Sequence, residues 1–126
     1  MSNLFDSAEI VFRYTRRMAI ADGVLVDATQ GEFAEVSREH FPDRHLAMTS
    51  AVFALLETHA DAEGLAPLWD QVLRMAHIRQ VRLFPGGHTF QIALGCRRAP
   101  RWRTLQIQFH TAANGEPCAT VRLAGD

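Results

Sequence analysis

The spacing of apolar residues changes once along this chain, and the change restricts the folds that the chain can adopt. Over 49–59 and 65–79, apolar residues recur three and four positions apart, which is typical of amphipathic helices. Over 88–123 they alternate with polar residues, in runs separated by turn sequences such as Asn-Gly at 114–115, which is typical of strands. This order predicts an α+β fold, in which N-terminal helices pack on one face of a C-terminal antiparallel β-meander of three to five strands.

Shorter elements are predicted before the two main helices. A helical segment capped by Thr15 ends at Gly23, because glycine adopts the left-handed conformation without steric cost. A short strand follows at 24–26, and a capping box between Thr29 and Glu32 predicts another helix. Further predicted elements are that helix over 30–38, an extended segment at 45–48, a strand at 81–84, a Pro-Gly-Gly turn at 85–87, a basic loop over 97–101 and a strand over 103–110. The residues predicted to face the core in the strands around this loop are Phe90, Ile92, Leu94, Leu105, Ile107 and Phe109.

The 126 residues are predicted to form one domain spanning 1–126, because domains cluster at about 100–150 residues. We expect this domain to be a monomer or a homodimer. With 48% apolar residues, the chain can bury a core. No apolar run approaches the roughly 18 residues of a membrane span, and residues 1–6 are polar and acidic, unlike a secretory signal. We therefore expect a cytoplasmic protein with no membrane contact.

The net charge of −1 conceals a strong asymmetry along the chain. Residues 1–70 contain 12 acidic residues and five arginines, a net −7, whereas residues 71–126 contain eight arginines and two acidic residues, a net +6. The chain has no lysine, and the planar guanidinium of arginine suits carboxylates and phosphates. The densest basic stretch predicts a binding site around an aromatic ring, formed by Arg97, Arg98, Arg101, Trp102 and Arg103.

Two interpretations of this basic site are open. An exposed aromatic ring beside arginines is typical of surfaces that bind single-stranded nucleic acid or an acidic protein. Alternatively, the arginines pair with the acidic N-terminal half, and their charge is neutralised inside the fold. On the acidic side, Glu57, Asp61 and Glu63 are candidates for occupying a partner site that is made for nucleic acid.

The histidines and acidic residues form no pattern typical of a metal or cofactor site. His40 and His45 lack the further ligands at suitable spacing that a zinc site requires. The chain also has no G-x-S-x-G, phosphate-loop or H-E-x-x-H motif. We therefore predict no cofactor, no metal and no catalytic residue, and we interpret the histidines as solvated or hydrogen-bonded.

A cysteine nucleophile is the enzymatic alternative that the sequence leaves open. Cys96 or Cys118 can meet His110 or His88 across the predicted sheet. Neither cysteine is next to a predicted helix N-terminus that would stabilise a thiolate. Buried, reduced thiols are the other interpretation of both cysteines.

Four sequence blocks occur in an order that resembles a known family. They are Y-T-R-x-x-A-I-A-D-G-V-L-V-D at 14–27, F-P…L-A-M-T-S-A-V-F at 41–53, G-L-A-P-L-W-D-Q-V-L-R-M-A at 64–76 and N-G-E-P-C-A-T-V-R-L at 114–123. The chain resembles small uncharacterised proteins carried by bacterial plasmids, phages and integrative elements. The resemblance departs at 43–45 and over 82–103, and it brings no activity and no catalytic residues.

The resemblance implies a function that depends on binding rather than on catalysis. Small, cofactor-free proteins of mobile elements often bind a host protein, although this is an association and not a physical argument. We expect a non-enzymatic interaction protein of a mobile genetic element, such as an anti-CRISPR or anti-restriction inhibitor, that binds a host protein or protein–nucleic-acid complex. The alternatives are a nucleic-acid-binding accessory protein that uses the 97–103 region directly, and a small enzyme that uses Cys and His.

Overall fold

Five strands and three α-helices form the part of the chain that the computed structural model describes, which is residues 16, 18–79, 87–95, 98–112 and 115–125. The strands are β1 (Leu25–Asp27), β2 (His45–Thr49), β3 (Gly87–Leu94), β4 (Arg101–Thr111) and β5 (Pro117–Leu123). The helices are α1 (Ala34–His40), which follows a 3-10 turn (Gly31–Phe33), α2 (Ser50–His59) and α3 (Ala66–Arg79). Residues 18–21 add a further helical turn before β1.

The five strands form one mixed sheet in the order β1-β2-β5-β4-β3. β3, β4 and β5 are antiparallel neighbours, which confirms the predicted α+β class and the C-terminal meander. β1 and β2 extend this sheet, and β2 pairs in parallel with β5, from His45 opposite Cys118 to Met48 opposite Val121. The sheet is therefore built from both halves of the chain, whereas the sequence pattern predicts a sheet from the C-terminal part alone.

The core lies between one face of the sheet and the helices. Alternate residues of each strand face the helices, because successive side chains of a strand point to opposite sides. The predicted inward residues Phe90, Ile92, Leu94, Leu105 and Ile107 are buried, while Phe109, which is also predicted to face inward, is partly buried against the core. The side chains of the other strands and of the helices that meet them include Leu46, Met48, Val52, Leu56, Trp69, Val72, Leu73 and Val121.

The two main helices begin and end close to the predicted positions. Thr49 caps α2, because its Oγ1 accepts a hydrogen bond of 3.3 Å from the backbone N–H of Val52. Pro67 lies in the first turn of α3, where a missing N–H removes no helical hydrogen bond. None of the helices in the described part of the chain is both long and apolar enough to cross a bilayer.

The predicted capping box at Thr29 is wrong. The Thr29 hydroxyl donates to Oδ1 of Asp27 at 2.5 Å, and the backbone N–H of Thr29 donates to the same oxygen at 2.9 Å. Short polar side chains compete in this way for local partners, so Thr29 closes a turn after β1 and caps no helix. The chain instead enters α1 through the 3-10 turn, whose N-cap Gln30 makes no side-chain hydrogen bond, and α1 continues to His40.

Several predicted elements lie outside the described residues. They are the Thr15 cap, the strand at 81–84, the first two residues of the turn at 85–87, and Asn114. Gly87, the third residue of that turn, is the first residue of β3 and has a φ of +118°. A Cβ at this position would overlap the carbonyl oxygen of Ile107, so the close approach of β3 to β4 requires glycine.

Candidate functional site

The basic residues predicted to bind a partner lie at the start of β4 and just before it. Arg101, Trp102 and Arg103 are the first three residues of β4, whereas the sequence predicts a loop at Arg101. Arg101 pairs with Leu94 and Arg103 pairs with Ile92, two core residues, so both arginines lie on the helix side of the sheet. Trp102 projects to the opposite side, which we call the open face.

Alternation along β4 therefore divides the predicted site between the two sides of the sheet. Arg98 precedes β4 and is exposed, while Arg97 and Cys96 lie outside the described residues. Trp102 is 62% exposed, which is unusual for so large an apolar side chain. A partner that touches both the ring and the arginines has to contact this end of the sheet from two sides.

The exposed arginines of this site form no ion pair with a described carboxylate. Among the residues that the structure describes, no acidic oxygen lies within 4.0 Å of Arg98, Arg101 or Arg103. By contrast, Nη2 of Arg74 lies 2.7 Å from Oδ2 of Asp70. The structure therefore favours the interpretation in which these three arginines face outward.

The three acidic candidates lie at the end of α2 and in the turn after it. Glu57, Asp61 and Glu63 are exposed, and Oδ1 of Asp61 accepts a hydrogen bond of 2.8 Å from the backbone N–H of Glu63. The chain after β3 passes the same end of α2. Gly95 lies next to the last residue of α2, since a Cβ built at Gly95 would be 3.8 Å from the His59 ring. Acidic and basic candidates therefore flank the same end of the molecule.

A second polar site lies on the open face, around Arg16. Nη1 of Arg16 donates to Oγ1 of Thr120 at 2.8 Å and lies 3.2 Å from Nε2 of His110. Nη2 lies 2.9 Å from Nδ1 of His45 and donates to the carbonyl oxygen of His45 at 3.2 Å. One guanidinium thus joins β2, β5 and β4, and we call these four residues, together with Asp27, the Arg16 cluster.

Strand register explains why these side chains meet. His45 on β2 and His110 on β4 both lie opposite Cys118 on β5. Thr120 follows Cys118 by two residues and so projects to the same side of the sheet. The open face therefore collects two histidines, a threonine and a thiol near Arg16.

One of the predicted cysteine–histidine pairs is adjacent in the sheet. Cys118 lies opposite His110, but it is only 1% exposed, and its Sγ donates to the carbonyl oxygen of Glu116 at 3.4 Å. His88 lies on the helix side of β3, where its Nε2 donates to the carbonyl oxygen of Ala76 at 2.8 Å. A buried thiol that already donates a hydrogen bond is typical of a structural cysteine.

The hydrogen bonds of Arg16 indicate which nitrogen of each histidine acts as the acceptor. Arginine carries donors only, so Nδ1 of His45 and Nε2 of His110 act as acceptors and carry no proton. His45 then carries its proton on Nε2, which lies 3.3 Å from Oδ1 of Asp27. Burial, followed by the charges of Arg16 and Arg44, lowers the pKa of His110, so this ring is neutral at pH 7.

Asp27 supplies the negative charge of the Arg16 cluster. Burial raises the pKa of the Asp27 carboxyl, but the two hydrogen bonds from Thr29 and the nearby His45 outweigh burial, and the pKa is lowered overall. The carboxylate is therefore ionised at neutral pH. It accepts hydrogen bonds from Thr29 on one side and faces the Nε2 proton of His45 on the other.

Local sequence patterns give little indication of the Arg16 cluster. Alternation in β4 and β5 places His110 and Thr120 on the polar side of the sheet, which is the one local signal. The parallel pairing that adds His45 has no signature in the sequence of β2. The contact between Arg16 and His110 joins residues 94 positions apart, and no local period reports such a contact.

A third polar group joins α1 to α3 on the helix side. Nε2 of His40 donates to Oδ1 of Asp70 at 2.8 Å, and Arg74 binds the other oxygen of the same carboxylate. This arrangement satisfies the carboxylate from two sides and has the character of a structural link. In the described ranges, no group of three or more His, Cys, Asp or Glu side chains is arranged to hold a metal ion.

Comparison with known proteins adds no relative to this description. No protein-family model matches the chain, no curated protein matches it, and no solved structure matches it. The resemblance to proteins of mobile elements therefore stays a prediction, and the function has to be argued from the geometry of the two sites.

Proposed function

We propose that this protein is a non-enzymatic interaction protein of a mobile genetic element, which acts in the cytoplasm by binding a host protein or protein–nucleic-acid complex. CRISPR and restriction complexes are the partners that the sequence resemblance suggests, with inhibition as the outcome. The binding surface consists of Arg98, Arg101, Trp102 and Arg103, with Arg97 adjoining them in sequence. The observation that carries the proposal is an exposed tryptophan that lies between two arginines along β4, on the opposite side of the strand from them, where neither arginine has an acidic partner among the described residues.

The exposed ring supplies the apolar part of the binding energy. Tryptophan and arginine are the residues that most often dominate protein interfaces. Covering about 150 Å² of the Trp102 ring, at about 25 cal/mol per Å², gives about 4 kcal/mol before the costs of association. This ring therefore has more to gain from a partner than any other exposed side chain of the site.

The arginines supply charge recognition. Arg101 and Arg103 have no acidic partner within the described residues, so binding a partner breaks no internal ion pair of theirs. Their planar donors suit carboxylates and phosphates. Glu57, Asp61 and Glu63 at the same end of the molecule favour basic groups on the partner. A complex that combines a basic protein surface with bound nucleic acid offers both kinds of charge.

The state of the other polar site favours a function without catalysis. Cys118 is buried, and both terminal nitrogens of Arg16 are occupied by hydrogen bonds within the fold. A guanidinium in that state has no free terminal donor for a substrate. The Arg16 cluster is therefore better suited to holding the fold together than to binding a reactant.

Co-purification from the host tests the proposal. Tagged wild-type protein, Trp102→Ala and the double variant Arg101→Glu with Arg103→Glu are expressed in host cells, and their partners are quantified by mass spectrometry. We expect both variants to lose at least about tenfold of the partner that wild type enriches, since truncation of a central anchor costs more than about 1.4 kcal/mol. If the protein inhibits a host defence system, cells that express either variant should again eliminate a plasmid which that system targets, whereas cells that express wild type should keep it.

A matched charge reversal provides the control. Arg38 is exposed on α1, away from β4, so Arg38→Glu should keep the partner and the inhibition. The free energy of unfolding of Trp102→Ala should lie within about 0.5 kcal/mol of the wild-type value, because the ring is largely exposed. A partner that both β4 variants still retain would contradict the assignment of this surface.

A nucleic-acid accessory protein is the second candidate, and the exposure of Trp102 beside arginines favours it too. An exposed ring can stack on a base while arginines contact the backbone. This function predicts direct binding of single-stranded oligonucleotides, with an affinity that falls steeply as salt rises. Fluorescence anisotropy at low salt distinguishes the two, because an interaction protein shows no binding to the free oligonucleotide.

A further inference from the structure

We propose that Arg16 is an acid-sensitive latch, which holds the helical turn at 18–21 against the open face of the sheet and releases it when His45 and His110 take up protons. This device is separate from the binding surface on β4 and does not depend on the proposed function. It is carried by the geometry of one guanidinium that binds two neutral imidazole rings at once.

The latch joins the chain before β1 to the middle of the sheet. Both terminal nitrogens of Arg16 are fully engaged, Nη1 with Thr120 and His110 and Nη2 with the ring and the carbonyl oxygen of His45. The contacts reach β2, β5 and β4, which are neighbours in the sheet. Backbone hydrogen bonds that close the turn at 22–24 connect the helical turn to β1, and residues 18–20 are half-buried.

Protonation removes two of the four acceptors. Nδ1 of His45 and Nε2 of His110 bind Arg16 through lone pairs, and a proton on either atom converts that acceptor into a donor. It also places a positive charge 2.9 or 3.2 Å from the guanidinium, where the previous interaction was attractive. Histidine is the side chain that ordinarily changes charge between about pH 5 and pH 8, and the lowered pKa of His110 moves its conversion to the acid side of its usual value.

The charges around His110 favour its neutral form at pH 7. Burial, then Arg16 and Arg44, lowers the pKa of His110. The described charged and titratable groups next to the Arg16 cluster are Arg44 from the turn before β2, and Cys118 and Arg122 from β5. Asp27, the acidic member of the cluster, lies 3.3 Å from Nε2 of His45 through its Oδ1.

Opening has a definite structural consequence. Ala47 and Cys118 lie on the open face beside the cluster and are 0% and 1% exposed. Loss of the latch frees the turn at 18–21 from that face. We therefore expect acid to lower the backbone protection of 18–21 and to bring the reactivity of the Cys118 thiol towards that of an Arg16→Met variant measured at the same pH.

Hydrogen exchange of the full chain at pH 7.5 and pH 5, corrected for intrinsic rates, tests the latch. Wild type should lose at least about tenfold protection in a peptide covering 18–25 at the lower pH. Arg16→Met should show the low protection at both pH values. The double variant His45→Gln with His110→Gln keeps two acceptors that do not titrate. Its protection at the lower pH should therefore stay within about twofold of its protection at pH 7.5.

His77→Gln is the matched control, because His77 is exposed on α3 in the helix layer and contacts no member of the cluster. It should behave as wild type. Thiol labelling by 4,4′-dithiodipyridine, with the modified site located by mass spectrometry, gives a second readout at Cys118 when wild type is compared with Arg16→Met at the same pH, because the thiolate fraction then cancels. Wild-type protection that is independent of pH would overturn the proposal, and so would a double variant that opens as far as wild type.

Discussion

Nε1 of Trp69 donates a hydrogen bond of 2.9 Å to Oγ of Ser37 in the middle of the core. Oγ of Ser37 donates in turn to the carbonyl oxygen of Ala28 at 2.6 Å. Trp69 is 0% exposed and Ser37 is 2% exposed, so neither group can use water as a substitute partner. This chain of two hydrogen bonds connects α3, α1 and the segment after β1.

Removal of the Ser37 hydroxyl should destabilise the protein. Ser37→Ala leaves the indole N–H of Trp69 and the carbonyl oxygen of Ala28 buried without this partner, which costs about 1–3 kcal/mol. Urea denaturation followed by tryptophan fluorescence measures the change. Ser50→Ala is the control, because Ser50 is exposed and should change the free energy of unfolding by less than about 0.5 kcal/mol. Equal effects of the two substitutions would show that the core hydrogen bonds add no stability.

Gly87 should be much less tolerant of a side chain than a glycine in an open turn. Gly87→Ala combines a φ of +118° with a Cβ that overlaps the Ile107 carbonyl, so we expect a loss of at least about 2 kcal/mol. Gly115 has a φ of +89° and open space around it, so Gly115→Ala should cost about 1 kcal/mol. Thermal unfolding of both variants provides the comparison, and similar losses would mean that β3 can move away from β4 without cost.

The contribution of Asp27 to stability should depend on pH. Its folded pKa is below the ordinary value of 3.8, so the ionised group stabilises the fold fully above pH 3.8 and loses this effect as pH falls through the folded value. Asp27→Asn should therefore cost about 1 kcal/mol at pH 7, and this cost should shrink progressively as the pH falls below 3.8.

Urea denaturation of wild type and Asp27→Asn over this pH range measures the difference between them. Asp43→Asn serves as the control, because Asp43 is exposed and makes no hydrogen bond or ion pair with the described residues. A cost of Asp27→Asn that stays constant with pH would mean that the charge of this carboxylate does not stabilise the fold.

Local patterns predict the regular elements of this protein well. The spacing of apolar residues places α2 and α3 within one residue of their observed bounds, because the signals for a helix lie inside the helix and at its caps. Alternation predicts the buried faces of β3 and β4 for the same reason. The Thr29 capping box fails because a competing partner, Asp27, is only two residues away.

The local sequence patterns do not predict which distant segments pair in the sheet. β2 has five residues, too few to show that its partner is β5 or that the pairing is parallel. The candidate binding site is affected by a smaller difference. β4 begins at Arg101 rather than at Arg103, and this change turns a basic loop into a strand whose alternation separates Trp102 from Arg101 and Arg103.

The position of β5 has a consequence for how the protein is made. β5 lies between β2 and β4 in the sheet, although the ribosome synthesises it after both. Before β5 exists, the pairs β1–β2 and β3–β4 have no common neighbour, and each presents an unjoined edge that can pair with another chain. We therefore expect a nascent chain, or a protein truncated before residue 117, to be prone to aggregation, because β5 is missing from both.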